Sequence, residues 1–249
     1  MSGHSKWSTI KHQKGKADAA RGKVFTKIGR EIAIAVREGG GDPKVNGKLR
    51  DVIAKARANN MPGDTITRSV KKAAGELGTV NYEEVVYEGY APGGVAVIVE
   101  CVTDNRNRTA SDIRHIFDKC GGALGATNCV GYMFDRRGLM IVERKPGMDE
   151  DDVLTQAMEA GASDFAADDD VFEISSEIAD FSPVREALES RGLAFLSAEL
   201  TRVPQNYVSI DNPETVGSVR KLIDMLDDMD DVVNVYHNAQ LPDDEDEDA

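Results

Sequence analysis

The pattern of this chain predicts an α+β fold: an N-terminal three-helix domain and two ferredoxin-like α/β domains, the third inserted into the second. Three observations predict it. Apolar residues recur at helical spacing within residues 1–75. From residue 82 the pattern changes to short apolar runs bounded by glycine and proline. Residues 137–202 then arrange strand and helix signals in the order β-α-β-β-α-β, which is the ferredoxin-like order.

The first domain spans residues 1–75 and opens with a basic arm. Val24 to Glu38 then puts Val24, Phe25, Ile28, Ile32, Ala35 and Val36 on one helical face. Gly29 inside that stretch costs about 1 kcal/mol relative to alanine, and Gly39-Gly40-Gly41 end it. Asn46 can cap a second helix whose inward face is Leu49, Val52, Ile53 and Ala56, because its side-chain oxygen can accept from a first-turn N–H. Asp64 is expected to cap a third, with Ile66, Val70 and Ala73 inward.

The second domain is read as residues 82–136 and 203–240. Val85-Val86-Tyr87 is followed by the turn signal Pro92-Gly93-Gly94 and the apolar run Val95 to Val102, a central strand buried on both faces. A helix with Ala110, Ile113, Ile116 and Phe117 inward closes at Gly121-Gly122, and Val130 to Phe134 reads as a strand. In the inserted domain, 137–202, Leu139 to Val142 is a strand. Asp149 caps a helix carrying Val153, Leu154, Ala157 and Met158; two short strands flank Asp168-Asp169-Asp170; a helix opens at Ser182-Pro183, and Leu193 to Leu200 closes the set. Beyond it, Tyr207 to Ile210, an Asn212-capped helix burying Val216, Val219, Leu222, Ile223 and Leu226, and Val232 to Tyr236 complete the middle sheet. That completion is the ground for reading the third domain as an insertion. The tail, 241–249, holds six acids in nine residues and is expected to be disordered.

Charge is segregated. Residues 1–75 carry 17 Lys/Arg against 6 Asp/Glu, a balance of +11, while the remainder carries −25 and the whole chain −14. Such asymmetry points to a polyanion-binding module joined to a part that repels polyanions. No apolar run is long enough for a membrane helix, no apolar core follows the N-terminal charges as in a secretory signal, and three cysteines without CxxC spacing fit a reducing compartment. The expectation is a cytoplasmic protein with no membrane partner.

His4-Ser5-Lys6-Trp7, Lys11-His12, Lys14, Lys16 and Arg21-Gly22-Lys23-Val24-Phe25-Thr26-Lys27-Ile28 open a series of motifs. They continue in Gly39-Gly40-Gly41-Asp42-Pro43, Tyr87-Glu88-Gly89-Tyr90-Ala91-Pro92-Gly93-Gly94-Val95, Thr103-Asp104-Asn105-Arg106-Asn107-Arg108-Thr109, Tyr132-Met133-Phe134 and Val203-Pro204-Gln205-Asn206. In this order they resemble the YebC/PmpR family, which includes bacterial transcriptional regulators and the mitochondrial translational activator of cytochrome c oxidase. The chain departs at Asn46-Gly47, where the family usually reads Asn-Pro, and at Gly29, where an apolar residue is common. The resemblance implies a three-domain, DNA-binding transcriptional regulator, or alternatively a translation factor bound to ribosomal RNA.

The candidate nucleic-acid-binding residues are Lys6, Trp7, Lys11, His12, Lys14, Lys16, Arg21, Lys23, Lys27, Arg30 and Arg50. Each cation can neutralise a phosphate and release counterions. Trp7 can stack on an unpaired base or pack on the helical domain, and His12 can donate to phosphate. Lys48 and Arg50 fall in the first turn after Asn46, where free N–H groups favour anions. The junction Asp104–Arg108 reads either as a contact surface for RNA or protein or as a helix start capped by Asp104 or Asn105 with solvent-facing arginines. Asp168-Asp169-Asp170 lacks the glycine and distal glutamate of a calcium loop and reads as a polar turn. No nucleophile motif, metal-ligand spacing or phosphate-binding loop is present in the sequence, so no enzyme, cofactor, metal or small-molecule substrate is expected. The acidic domains have no aromatic residue on the central run Val95 to Val102 for base stacking, so they are expected to meet ribosomal or transcription proteins or to orient the basic domain.

Overall fold

The computed structural model describes residues 19–75 and 82–242, with side chains from residue 22. The basic arm and the tail from residue 243, for which disorder is expected, lie outside the described residues. Among these lie seven α-helices and ten strands: α1 (Ala19–Gly39), α2 (Gly47–Ala58), α3 (Gly63–Ala73), β1 (Glu83–Ala91), β2 (Val95–Thr103), α4 (Arg106–Lys119), β3 (Ala123–Leu124), β4 (Phe134–Glu143), α5 (Glu150–Ala160), β5 (Asp164–Ala167), β6 (Val171–Ser176), α6 (Phe181–Ser190), β7 (Phe195–Pro204), β8 (Val208–Ser209), α7 (Pro213–Asp227), β9 (Val232–His237) and β10 (Ala239–Gln240). They group into two compact units, residues 135–203 and the described residues to either side of that segment. The mixed α+β class is as the sequence predicts.

The helical part has one core. Ile28, Ile32, Ala35 and Val36 of α1 meet Leu49, Val52 and Ala56 of α2 and Ile66 of α3, with Val24, Phe25, Ile53, Val70 and Ala73 at its edge. Helix α1 is already formed at Ala19, the first described residue and earlier than the apolar period indicates, so Lys23 belongs to the helix and not to the arm. Asn46 does more than cap: its Oδ1 accepts from Leu49 N at 3.0 Å, while its Nδ2 donates to the carbonyls of Ala35 and Gly40, each at 2.8 Å. One buried amide thereby ties the end of α1 to the start of α2. Asp64 is not a cap. Pro62 occupies that position without a side-chain bond, and Asp64 sits in the first turn of α3.

The middle sheet runs β3-β1-β2-β9. β1 and β2 are antiparallel, with Glu83 opposite Thr103 and Ala91 opposite Val95. The Pro92–Gly94 turn joins them; Gly93 and Gly94 there have φ of 78° and 76°, a region that favours glycine. The alternation along β2 explains its unbroken apolar run. Val95, Val97, Val99 and Cys101 face α4 (Ile113, Phe117) and α7 (Val216, Val219, Leu222), while Ala96 and Ile98 face Val130, Phe134 and Tyr236. The two-layer build is that of a ferredoxin-like domain, but the strand order differs. The tight turn makes β1 and β2 direct neighbours at the centre of the sheet, whereas a ferredoxin-like sheet separates its central strands by intervening elements.

Three further expectations change. The segment read as a strand at Val130–Phe134 is a 3-10 turn over Gly131–Met133, because the buried carboxylate of Glu88 accepts from Val130 N (2.9 Å) and Gly131 N (2.7 Å) and bends the chain. The strand proper begins at Phe134. Tyr207–Ile210 yields only β8, which pairs in parallel with β10 in a separate two-stranded sheet; of these pieces β9 alone joins the middle sheet, while Val208, Ile210 and Ala239 pack with α7 on its core. In α4, Thr109 is buried and Ala110 only half-buried.

The unit 135–203 has strand order β5-β6-β4-β7, the ferredoxin-like arrangement, with α5 and α6 packed by Val153, Ala157, Val184 and Leu188 on Met140, Val142, Phe172 and Ile174. Asp149 caps α5 through Asp151 N and Asp152 N. Leu154 and Met158, expected inside, are exposed, since each stands one position (about 100°) round the helix from the buried Val153 and Ala157. Asp168–Asp170 form the β5–β6 turn, with Asp168 N donating to the carbonyl of Val171 at 2.8 Å.

Candidate nucleic-acid interface

Helix α1 is buried on two faces. The apolar face packs on α2 and α3, and a second face, marked by Lys23, Lys27, Arg30, Ile34 and Arg37 at helical spacing, turns toward the middle sheet. Lys23 Nζ lies 2.9 Å from Asp228 Oδ1, and Lys27 donates to the carbonyl of Asp227 at 2.6 Å. Arg30 donates to Asp231 and, at 3.1 Å, to the carbonyl of Val102, with its guanidinium 5.6 Å from the ring centre of Tyr82. Arg37 donates to the carbonyl of Tyr82. Burial lowers the pKa of Lys27, and the nearby Asp227 only partly offsets it.

Asp231 is the hub of this contact. Its side chain is 8% exposed and accepts from Arg30, from Arg108 Nη2 (2.8 Å), from Thr109 Oγ1 (2.7 Å) and from Thr103 Oγ1 (3.1 Å). Burial alone would raise the carboxyl pKa, yet the hydrogen bonds from Arg108, Thr109 and Arg30 outweigh it and hold the pKa at about 2. The junction Thr103–Thr109 therefore has a structural task. Asn105 caps α4 by accepting from Arg108 N at 3.1 Å, and Arg108 bridges Asp104 and Asp231. The sequence held a signal for this in the run of threonines and arginines, but its partner on the α7–β9 turn is more than a hundred residues away.

The other cations fall into two sets. Lys48 is held by Glu38 (3.0 Å) and Glu84 (2.9 Å); burial works to lower its pKa, and the two carboxylates raise it above the ordinary value. Lys55 pairs with Glu31 at 2.9 Å. Arg50, Arg57, Arg68, Lys71 and Lys72 are exposed, and their side chains have no hydrogen bond or ion pair among the described residues. Lys6, Trp7, Lys11, His12, Lys14 and Lys16 lie outside the described residues, as does the side chain of Arg21. Of the sequence candidates, then, Lys23, Lys27 and Arg30 are brought together on one face and engaged by the protein itself, and Arg50 has no partner among the described residues. Among the described residues no three His, Cys, Asp or Glu side chains cluster as metal ligands, and no helix is long and apolar enough to cross a membrane.

Comparison with known proteins places the whole arrangement. Residues 5–76 match the family model described as the TACO1/YebC protein N-terminal domain, and residues 82–239 match the TACO1/YebC second and third domain. A relative from Acetivibrio thermocellus is 59% identical over 238 residues, covering 96% of this chain and 98% of its own, and bears the name "Probable transcriptional regulatory protein". One from Clostridium novyi, similarly named, is 58% identical over 242 residues, covering 97% and 98%. The crystal structure of a conserved hypothetical protein, Aq1575, from Aquifex aeolicus matches with a TM-score of 0.82 at 45% identity, covering 90% of this chain and 92% of that one. The ordered motifs, the fold and these relatives agree: the chain belongs to the TACO1/YebC family.

Proposed function

We propose that this chain is a non-enzymatic, nucleic-acid-binding regulator of gene expression that acts on DNA through its basic N-terminal part. The observation that carries the reading is the segregation of charge, +11 on residues 1–75 against −25 on the remainder. A module of that sign attracts a phosphate backbone, and the acidic remainder limits how much of the chain can lie on it. The names of the relatives, transcriptional regulatory proteins, support the regulatory part.

The residues proposed to meet phosphate are Lys6, Lys11, His12, Lys14, Lys16 and Arg21 in and beside the arm, with Arg50 on α2. Lys23, Lys27 and Arg30 reach phosphate only by giving up partners they already hold, so their role in this reading is to fix the basic domain against the middle sheet. The acidic domains orient that domain or meet protein partners.

A second reading, ribosomal RNA in place of DNA, is favoured by one observation: the chain's single tryptophan, Trp7, stands in the basic arm, where an indole can stack on an unpaired base. A competition titration at physiological salt decides between them. Labelled protein bound to ribosomes is challenged with duplex promoter DNA, alongside the K11A/K14A/K16A variant. Capture by duplex DNA with sequence preference supports the transcriptional reading. Retention on ribosomes, lost in the variant, replaces it with the translational one.

A further inference from the structure

The split between engaged and free cations points to a surface within the helical domain. The cations of α1 are turned inward: Lys23, Lys27, Arg30 and Arg37 all bind the α7–β9 turn, the end of β2 or Tyr82. Apart from Lys44 in the α1–α2 loop, the cations of this domain with no partner among the described residues stand on the other two helices. On α3, Ile66 is buried and Val70 and Ala73 pack at the core edge, which leaves Arg68, Lys71 and Lys72, at spacings of three and four, on the outer face. On α2, Arg50 and Arg57 share one flank, seven residues apart, beside the buried Leu49 and Ala56. Asp64 is the sole acid of α3. Compensation of the helix dipole accounts for Arg57 in the last turn of α2 and for Lys71 and Lys72 in the last turn of α3, but not for Arg68 or Arg50.

We propose that the outer faces of α2 and α3, through Arg50, Arg57, Arg68, Lys71 and Lys72, dock on the phosphate backbone of duplex DNA, while the cations of α1 clamp the domain to the rest of its unit. The proposal rests on the nucleic-acid-binding reading above and names the surface. Charge complementarity selects a polyanion. The choice of a duplex follows from the absence of a stacking platform: among the described residues 22–75 the one aromatic side chain is Phe25, which packs against the core. A rigid helix face with point charges and no stacking ring suits a continuous backbone better than splayed bases, and it predicts little sequence preference from this surface.

The test uses the full chain and a random-sequence DNA duplex, with affinity followed over a salt series. Wild type shows a steep fall of affinity with salt, and R68A/K71A/K72A lowers the slope of log affinity against log salt by about 2.7, roughly 0.9 for each phosphate no longer neutralised. The charge-conserving R68K/K71R/K72R keeps the slope, which separates charge from any loss of helix stability. An unaltered slope in R68A/K71A/K72A, with affinity lost in K11A/K14A/K16A, overturns the α2–α3 surface and leaves the functional reading standing. Absence of duplex affinity in wild type at low salt overturns both. A triple variant that loses affinity for single-stranded RNA and not for the duplex overturns the assignment to DNA.

Discussion

Replacing Asp231 by asparagine tests whether the hub holds the helical domain to the middle sheet. The carboxyl pKa is about 2 against an ordinary value of 3.8. A difference of nearly two pH units at about 1.4 kcal/mol each gives roughly 2.5 kcal/mol of stability at neutral pH. The sign follows from the direction of the shift. A carboxylate with a depressed folded pKa stabilises above its unfolded value and loses that contribution as pH falls through the folded one. Asp231→Asn should therefore cost about 2.5 kcal/mol at pH 7, about half of that near pH 3, and almost nothing below pH 2. Asp231→Ala should cost more, about 3–5 kcal/mol, because Arg30, Arg108, Thr103 and Thr109 then lose the acceptor oxygen that an asparagine amide would still offer. The assay is urea unfolding with hydrogen exchange read at the α1 and β2 amides, which reports the unit that contains the hub. A penalty for Asp231→Asn that stays constant between pH 7 and pH 3, or below about 1 kcal/mol at pH 7, would refute the argument.

Other outcomes follow from the same structure. Gly29→Ala should stabilise the helical domain by about 1 kcal/mol, since the added Cβ would meet Ser69 Oγ at an ordinary 3.9 Å; a lower urea midpoint would contradict it. Asn46→Ala should destabilise by about 2–3 kcal/mol, as a helix cap and two buried carbonyl partners go together, and guanidinium unfolding of the variant measures this. If the acidic tail competes with phosphate for the arm, removal of residues 241–249 should raise affinity for random DNA at low salt; equal affinities of the two chains in a filter-binding assay would end that idea.

What could be read in the chain alone is what short-range physics determines. The inward faces of α1, α2 and α3 follow from a repeat of 3.6 residues, and the caps at Asn46, Asp149 and Asn212 follow from side chains that reach N–H groups two or three positions on, whereas the choice of Asn105 over Asp104 at α4 needed the structure. The burial of β2 on both faces is visible as an unbroken apolar run, and the ordered motifs carry the family. Where each charge and each strand edge ends up is a matter of long-range packing. Lys23, Lys27 and Arg30 look like members of one phosphate-binding run, yet they meet Asp228, Asp227 and Asp231 some two hundred residues away. The same packing leaves Arg68, Lys71 and Lys72 in solvent without a partner among the described residues. Strand order shows the same division: short apolar runs mark β1, β2 and β9, but a tight turn and long-range pairing place the hairpin at the centre of the sheet. Periodicity and capping act over a few residues and are written locally. A charge's partner and a strand's neighbour are set by free energies that exist only once distant segments have met.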